Sequence, residues 1–513
     1  MWSLFTTAFG AVAVTYFFLQ ALLYLTQDAK EPPVIETAIP FVSPILGMGK
    51  RSSRYFNYLR DQYSAPVFTL RLPFARLYVI TSPPLITAVQ RQFRTLSFSP
   101  LKVRAVAKLA GPSQQAIDVI SHNIPHDDSF LPGFTKSVYP ALAGSMLDLL
   151  TERTVHVMLA EFDKLAARGS CTPLQMHKWT GELITCASSS GIYGPHNPLK
   201  DIENLSALNV YEAKYMTLVS SKFPQWYASD AIKAREYLAK KYEHYYAQGW
   251  HHQGSDFIQR RYAYMCESGL SPVDIAKIEV SGVFPLIGNT IPTAFWLIYH
   301  IFSSPIVLED CRREVSQTVS EHNGVCTIDV SALKSSCPIL FSTFQEVFRF
   351  HGMATSARVA LEDHMLDGKY LIKKGGVVMI SGRVQHSSTD NWGDDVDEFK
   401  HTRFIRSPGV KRHNPVTWRG FGGGTTTCPG RHFATTEVLL FAALLMLRFD
   451  VRLSDGRTQW VMPPMNNAPH PSALDLPAED VKIELLPRPK QNWRAVFSKA
   501  DKSTEIAAED TLN

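Results

Sequence analysis

Residues 421–434 read FGGGTTTCPGRHFA. A single cysteine, Cys428, stands behind a run of glycines and threonines and in front of a stretch with helical spacing, RHFATTEVLLFAALLMLRF. Three chemistries use such a loop: a phosphate cradle, a redox thiol and a metal ligand. A phosphate loop of the GxxxxGK[ST] type needs a lysine after its glycines, and GGGTTTCPGR has none. A redox thiol usually works with a partner, and no second cysteine lies near. A helix beginning near Pro429 would place its positive end at the sulfur and favour a thiolate, with proline suited to the first helical position. Glycines at 422–424 let the backbone approach something broad and flat.

The rest of the chain limits the choice. Its 513 residues are enough for one large domain or two to three ordinary ones. Apolar residues make up 45%, ample for a sizeable core, and charged residues 19%, below the roughly 25% usual for soluble proteins. The net charge of +5 is mild and mixed, which speaks against a nucleic-acid partner. Seven cysteines without CxxC spacing make neither a disulfide framework nor a zinc site, and a reducing compartment is the simpler expectation.

The N-terminus departs from this composition. Trp2 to Gln27 carries no charge and is rich in apolar and aromatic residues, long enough to span a bilayer. No Lys or Arg precedes the run, unlike a cleaved signal peptide, and Lys50, Arg51 and Arg54 follow it. The positive-inside rule then puts the body in the cytosol. The expected organisation is a transmembrane anchor at 1–27, a stiff proline-rich linker at 28–50, one catalytic domain at 51–488 and a loose polar tail at 489–513.

Helical periodicity dominates the middle of the chain. Residues 146–166 and 306–320 read as amphipathic helices, and the more apolar 275–302 as a buried helix bent by Pro285 and Pro292. Strand-like runs are short: 66–72, 77–81, 377–381 and 481–486. The expected fold is mainly α with a minor β part, a single large domain behind an N-terminal transmembrane helix.

A thiolate at a helix start beneath a glycine loop suits an axial ligand of haem iron, although a lone buried cysteine is more often plain core. The spacing of Phe421, Gly424, Cys428, Gly430 and Ala434 resembles the haem-binding loop of the cytochrome P-450 family. Two positions depart from that pattern. Thr426 stands where most members have Arg or His for a haem propionate, and Gly420 stands where proline commonly precedes the Phe. The resemblance extends beyond the loop. Glu346 and Arg349, three apart in CPILFSTFQEVFRFHG, match the ExxR pair, and Arg403 in DEFKHTRF matches the third, structural member, though Thr402 or His401 replaces its usual proline. Arg358 lies where an arginine often pairs with a propionate; a solvated surface arginine is the plain alternative.

In this family a long helix crosses over the haem with a small residue, Gly, one residue, an acid and a Thr. Here SGVFPLIGNTIPTAFW (281–296) has no acid. In one alignment Asn289 replaces the acid and Thr290 is the alcohol. In the other, Gly288 takes the acid position and Asn289 that of the alcohol. The second is similar to the branch of sterol 7α- and 12α-hydroxylases and prostacyclin synthase, which shares the pattern Asn289, Pro292, Phe295, Trp296. A buried Asn bonding the bent helix is the plain reading.

The resemblance implies haem b held by Cys428, with Phe421, Gly424, Gly430 and Arg358 as further cofactor residues and Gly288, Asn289 and Thr290 as catalytic candidates. It implies a monooxygenase with electrons from NADPH through a membrane-bound reductase, anchored by a single pass in the endoplasmic reticulum membrane. Arg412, Arg419 and Arg431 are read as a basic docking patch, or as ordinary solvated arginines. The candidate pocket segments Val283–Thr290, Met353–Arg358 and Ser472–Leu476 suit an apolar terpenoid, sterol or polyketide-like substrate, in the style of fungal secondary metabolism. The alternatives are a haem-thiolate isomerase or dehydratase that needs neither O2 nor reductase, and a non-enzymatic haem or lipid-binding protein.

Overall fold

The computed structural model describes residues 2–124, 126, 129–168, 173–406, 413–466, 470–489 and 492–498. They form two compact units. One takes the chain up to Leu101, Gly352–Asp397 and His413–Thr427; the other takes Lys102–His351 and the described parts of 398–412 and 428–513. Helices predominate in the described residues and strands are fewer.

The first unit opens with the helix Trp2–Thr26. Its apolar window Phe9–Thr26 has a mean hydropathy of 1.6 and no part of it is buried against the body. Arg76 Nη2 donates to the Thr26 carbonyl at 2.8 Å, and Arg71 Nη1 does so at 3.3 Å. The two cations complement the negative end of the helix. The linker is less uniform than its prolines suggest. Val34 bridges to Thr69, but Ser43–Arg51 is a helix. Pro44 sits in its first turn, where a missing N–H costs no intrahelical bond, and Lys50 and Arg51 occupy its last turn.

The sheet of this unit has five strands in the order 67–72, 75–80, 377–381, 355–360 and 96–97. Its first two strands form a hairpin, turning at Phe74 with φ near +62°. Val377–Ser381 then pairs parallel to Ala75–Ile80 and antiparallel to Thr355–Ala360. The strands are short, rich in Val, Leu and Ile, and buried on both faces over Val67–Leu70 and Leu77–Ile80, which explains their near-continuous apolar sequence.

The second unit is a stack of helices. Arg431–Arg448 is deeply buried, with Val438 to Met446 all inside. The apolar run 275–302 forms two helices, Pro272–Ile287 and Thr290–Phe302, interrupted at Gly288 and Asn289. Pro292 has no N–H to give the Gly288 carbonyl, so the ladder lapses there. Within Pro272–Ile287, the buried carboxylate of Glu279 accepts from Tyr193 Oη at 2.7 Å and pairs with Arg261 at 3.0 Å. The polar tail is corrected in part. Asn492–Val496 is a strand, parallel to Val325–Asp329 on the edge left open by its antiparallel partner Val319–His322, and Arg494 reaches Thr327 Oγ1 at 2.7 Å. Residues 499–513 lie outside the described residues.

Candidate active site

Cys428 precedes the helix Arg431–Arg448, whose N-cap is Gly430. The helix therefore starts two residues later than Pro429 suggested, and Pro429 stands before the cap. Burial pushes the Cys428 thiol up, while the Gly430 N–H and the neighbouring Arg431 pull it back. The half-buried Arg431 turns its Nη1 to the Cys428 carbonyl at 3.3 Å. The sulfur is thus held at the positive end of a helix by a group that favours its anion.

In the same unit Glu346 is fully buried and holds both arginines. Arg349 forks onto its two oxygens at 2.8 and 2.7 Å, and Arg403 Nε reaches it at 3.0 Å. The Lys400 N–H adds a further bond at 3.0 Å, and the Glu398 carbonyl accepts from both Arg349 and Arg403. A buried ion cluster is tolerable only when its remaining donors and acceptors are satisfied. Here backbone groups around 398–400 do that.

At the helix interruption, Asn289 Oδ1 accepts the Ala473 N–H at 2.8 Å. An N–H needs an oxygen acceptor, so the amide orientation is set and Nδ2 is left as a donor. Nδ2 has no hydrogen-bond partner among the described residues. The plain reading, with the amide bonding its own helix, is replaced by a tie to a distant segment. Two further bonds hold that segment: Trp296 Nε1 to the Asp475 carbonyl at 2.7 Å, and the Asp475 N–H to the His351 carbonyl at 2.9 Å. The candidate pocket segments Val283–Thr290 and Ser472–Leu476 are thereby brought together, and Met353–Arg358 belongs to the other unit. Thr290 is buried. A side chain at Gly288 would put its Cβ 2.3 Å from the Phe284 ring, which packs on Tyr215 at 5.0 Å. The acid position of the second alignment is therefore closed.

In the first unit, Arg358 is not a solvated arginine; it is 3% exposed. It donates to Ser356 Oγ at 3.0 Å, to the Ala357 carbonyl at 2.9 Å and to Thr426 Oγ1 at 2.5 Å. Burial pushes its guanidinium down. No carboxylate pairs with it among the described residues. Phe421 is half-buried, edge-on to Trp418 at 6.1 Å, and Gly424 has φ near +61°. The docking patch needs correction. Arg419 is also 3% exposed and so cannot meet a partner's surface; Arg412 lies outside the described residues.

These residues fit a haem. Among the described residues no cluster of three or more His, Cys, Asp and Glu could hold a bare metal ion. A ring that brings its own nitrogens needs only one protein ligand, and Cys428 is presented as one.

The loop, the buried Glu–Arg–Arg cluster and the interrupted helix together define a haem-thiolate oxidoreductase. The chain belongs to the cytochrome P450 family, whose model matches residues 32–474. It is 30% identical over 485 residues to the cytochrome P450 monooxygenase nodJ of Hypoxylon pulicicidum, covering 91% of this chain and 93% of the relative. A cytochrome P450 monooxygenase of Gibberella zeae is 26% identical, covering 90% and 91%. Cholesterol 7-alpha-monooxygenase of Cricetulus griseus is 22% identical, covering 89% and 94%. The family implies a haem-thiolate cofactor and a redox partner.

Proposed function

We propose that this protein inserts one oxygen atom from O2 into an apolar terpenoid, sterol or polyketide-like molecule during secondary-metabolite biosynthesis. Electrons come from NADPH through a reductase at the endoplasmic reticulum membrane. The body sits on the cytosolic side behind the single helix Trp2–Thr26. The observation that carries the reading is Cys428 placed just before the Gly430 N-cap of the buried helix Arg431–Arg448, in a chain that belongs to the family. The two fungal relatives, both named monooxygenases, support the oxygen-inserting class.

Haem b bound through Cys428 supplies the oxygen activation and the one-electron chemistry. The chain's residues set its conditions. Gly430 and the helix start stabilise negative charge on the sulfur. The Glu346–Arg349–Arg403 cluster braces the core on the cysteine side. Phe284 keeps the region of Gly288 apolar. Asn289 Nδ2 offers one donor at the interruption, able to place a water or a substrate oxygen beside Thr290. The exposed apolar window Phe9–Thr26 anchors the body where apolar substrates concentrate.

A second reading, an isomerase or dehydratase, has one observation in its favour: the Phe284 ring closes Gly288 to the acid that a proton relay would use. One experiment separates the two. The full chain is expressed with a reductase and supplied with labelled O2. Labelled product that requires both O2 and reductase supports the monooxygenase. Turnover without them overturns it in favour of the isomerase.

A further inference from the structure

Glu212 stands in the last turn of the helix Ile202–Ala213, a turn without a basic residue. A carboxylate at that end meets the negative pole of its own helix. Its Oε1 is buried and has no hydrogen-bond partner among the described residues. Burial alone pushes its carboxyl up to about 7, and no cation among the described residues pulls it back. Helix end, burial and missing partner all count against a carboxyl at this place. Yet the residue keeps some accessible surface. A side chain set that deep and still accessible lines an internal space.

The groups beside it are aromatic and belong to the same helical unit. Tyr215, three residues on, feels the carboxyl: burial first, and then the Glu212 charge, push the Tyr215 hydroxyl up to about 12. The Tyr215 ring packs on Phe284 at 5.0 Å, and the Phe284 ring covers Gly288 at the helix interruption. Two rings therefore connect Glu212 to the turn that carries Asn289 and Thr290.

We infer that Glu212 accepts a hydrogen bond from a hydroxyl group of the otherwise apolar substrate and so determines which molecules are held and which way round. The inference deepens the function proposed above and rests on it for the apolar class. A neutral donor suits this wall better than a cation, whose desolvation no second charge would offset. Apolar contacts are non-directional, whereas a buried carboxyl left unpaired disfavours any analogue that lacks the hydroxyl.

The test titrates full-length, haem-loaded wild type, Glu212→Leu and Glu212→Gln with two matched pairs, farnesol against farnesene and cholestanol against cholestane. The Soret shift reports ligand entry, and the melting temperature reports binding without reference to the haem. The wild type should bind at least one alcohol about tenfold or more tightly than its hydrocarbon. Glu212→Leu should lose that preference, and Glu212→Gln, which keeps an acceptor oxygen, should retain part of it. Without ligand, at about pH 8, Glu212→Leu should melt no lower than the wild type, because it removes an unpaired charge. Alcohols that bind no better than their hydrocarbons to the wild type would overturn the inference. So would a preference that survives in Glu212→Leu, or a Glu212→Leu that melts well below the wild type without ligand, which would mark a structural role. A preference for the alcohols, lost in Glu212→Leu, in a protein that incorporates no labelled O2 would sustain the contact and sink the monooxygenase reading instead.

Discussion

Asn289 Oδ1 accepts the backbone N–H of Ala473 at 2.8 Å, joining the helix interruption to a segment 184 residues away. Asn289→Ala should leave that N–H unsatisfied and cost about 1–2 kcal/mol, seen as a lower melting temperature. Asn289→Asp keeps an acceptor oxygen and should melt close to the wild type. Because it loses the Nδ2 donor, its product yield per NADPH should still fall. Equal melting of the Ala variant and the wild type would remove the tie.

The closure of Gly288 is also testable. Gly288→Ala should drive the Phe284 ring off Tyr215 and destabilise by about 1–3 kcal/mol, the usual cost of overpacking. A smaller residue at 284 should relieve the clash, so Phe284→Ala should cost less in the Gly288→Ala background than alone. Additive losses in thermal melting would show that the two positions do not interact.

Glu346 holds two buried arginines, so removing it should do more than remove one bond. Glu346→Ala leaves Arg349 and Arg403 without a counter-charge and should cost about 3–5 kcal/mol. Soluble haem-loaded protein should then be lost, as measured by yield and absorbance. Recovery of wild-type yield would rule out the bracing role.

Glu437, on the Arg431–Arg448 helix, is 2% exposed and accepts Ser188 Oγ at 2.5 Å. Burial pushes its carboxyl up to about 8, against the Ser188 bond. The folded chain then binds a proton that the unfolded chain releases near pH 4.5. Its contribution is full below that pH and declines as pH rises to about 8. Glu437→Gln should gain on the wild type in melting temperature between pH 5 and 8 and hold a constant difference above. A pH-independent difference would contradict a protonated Glu437.

Much of the architecture is legible in the sequence for local reasons. The strands 67–72 and 377–381 are short apolar runs with β-branched residues, and Glu346 meets Arg349 because residues three apart share a helix face. Non-local relations are not. Nothing around Ala473 marks it as the partner of Asn289, and Arg419, amid Gly, Trp and Phe, reads as a loop charge until its burial is known. Pro44, inside the proline-rich stretch, is a first-turn helix residue, which only the helix around it reveals. The strand Asn492–Val496 needs the edge of Val325–Asp329, far away in the chain, to exist.

Cys428 is proposed as the ligand of haem iron. The carbon monoxide difference spectrum of the reduced protein, recorded beside Cys428→Ser, reads that bond. A thiolate-type, red-shifted Soret band is expected in the wild type and should vanish in the variant. A folded, haem-loaded wild type without that band, or a variant that keeps it, would contradict the assignment.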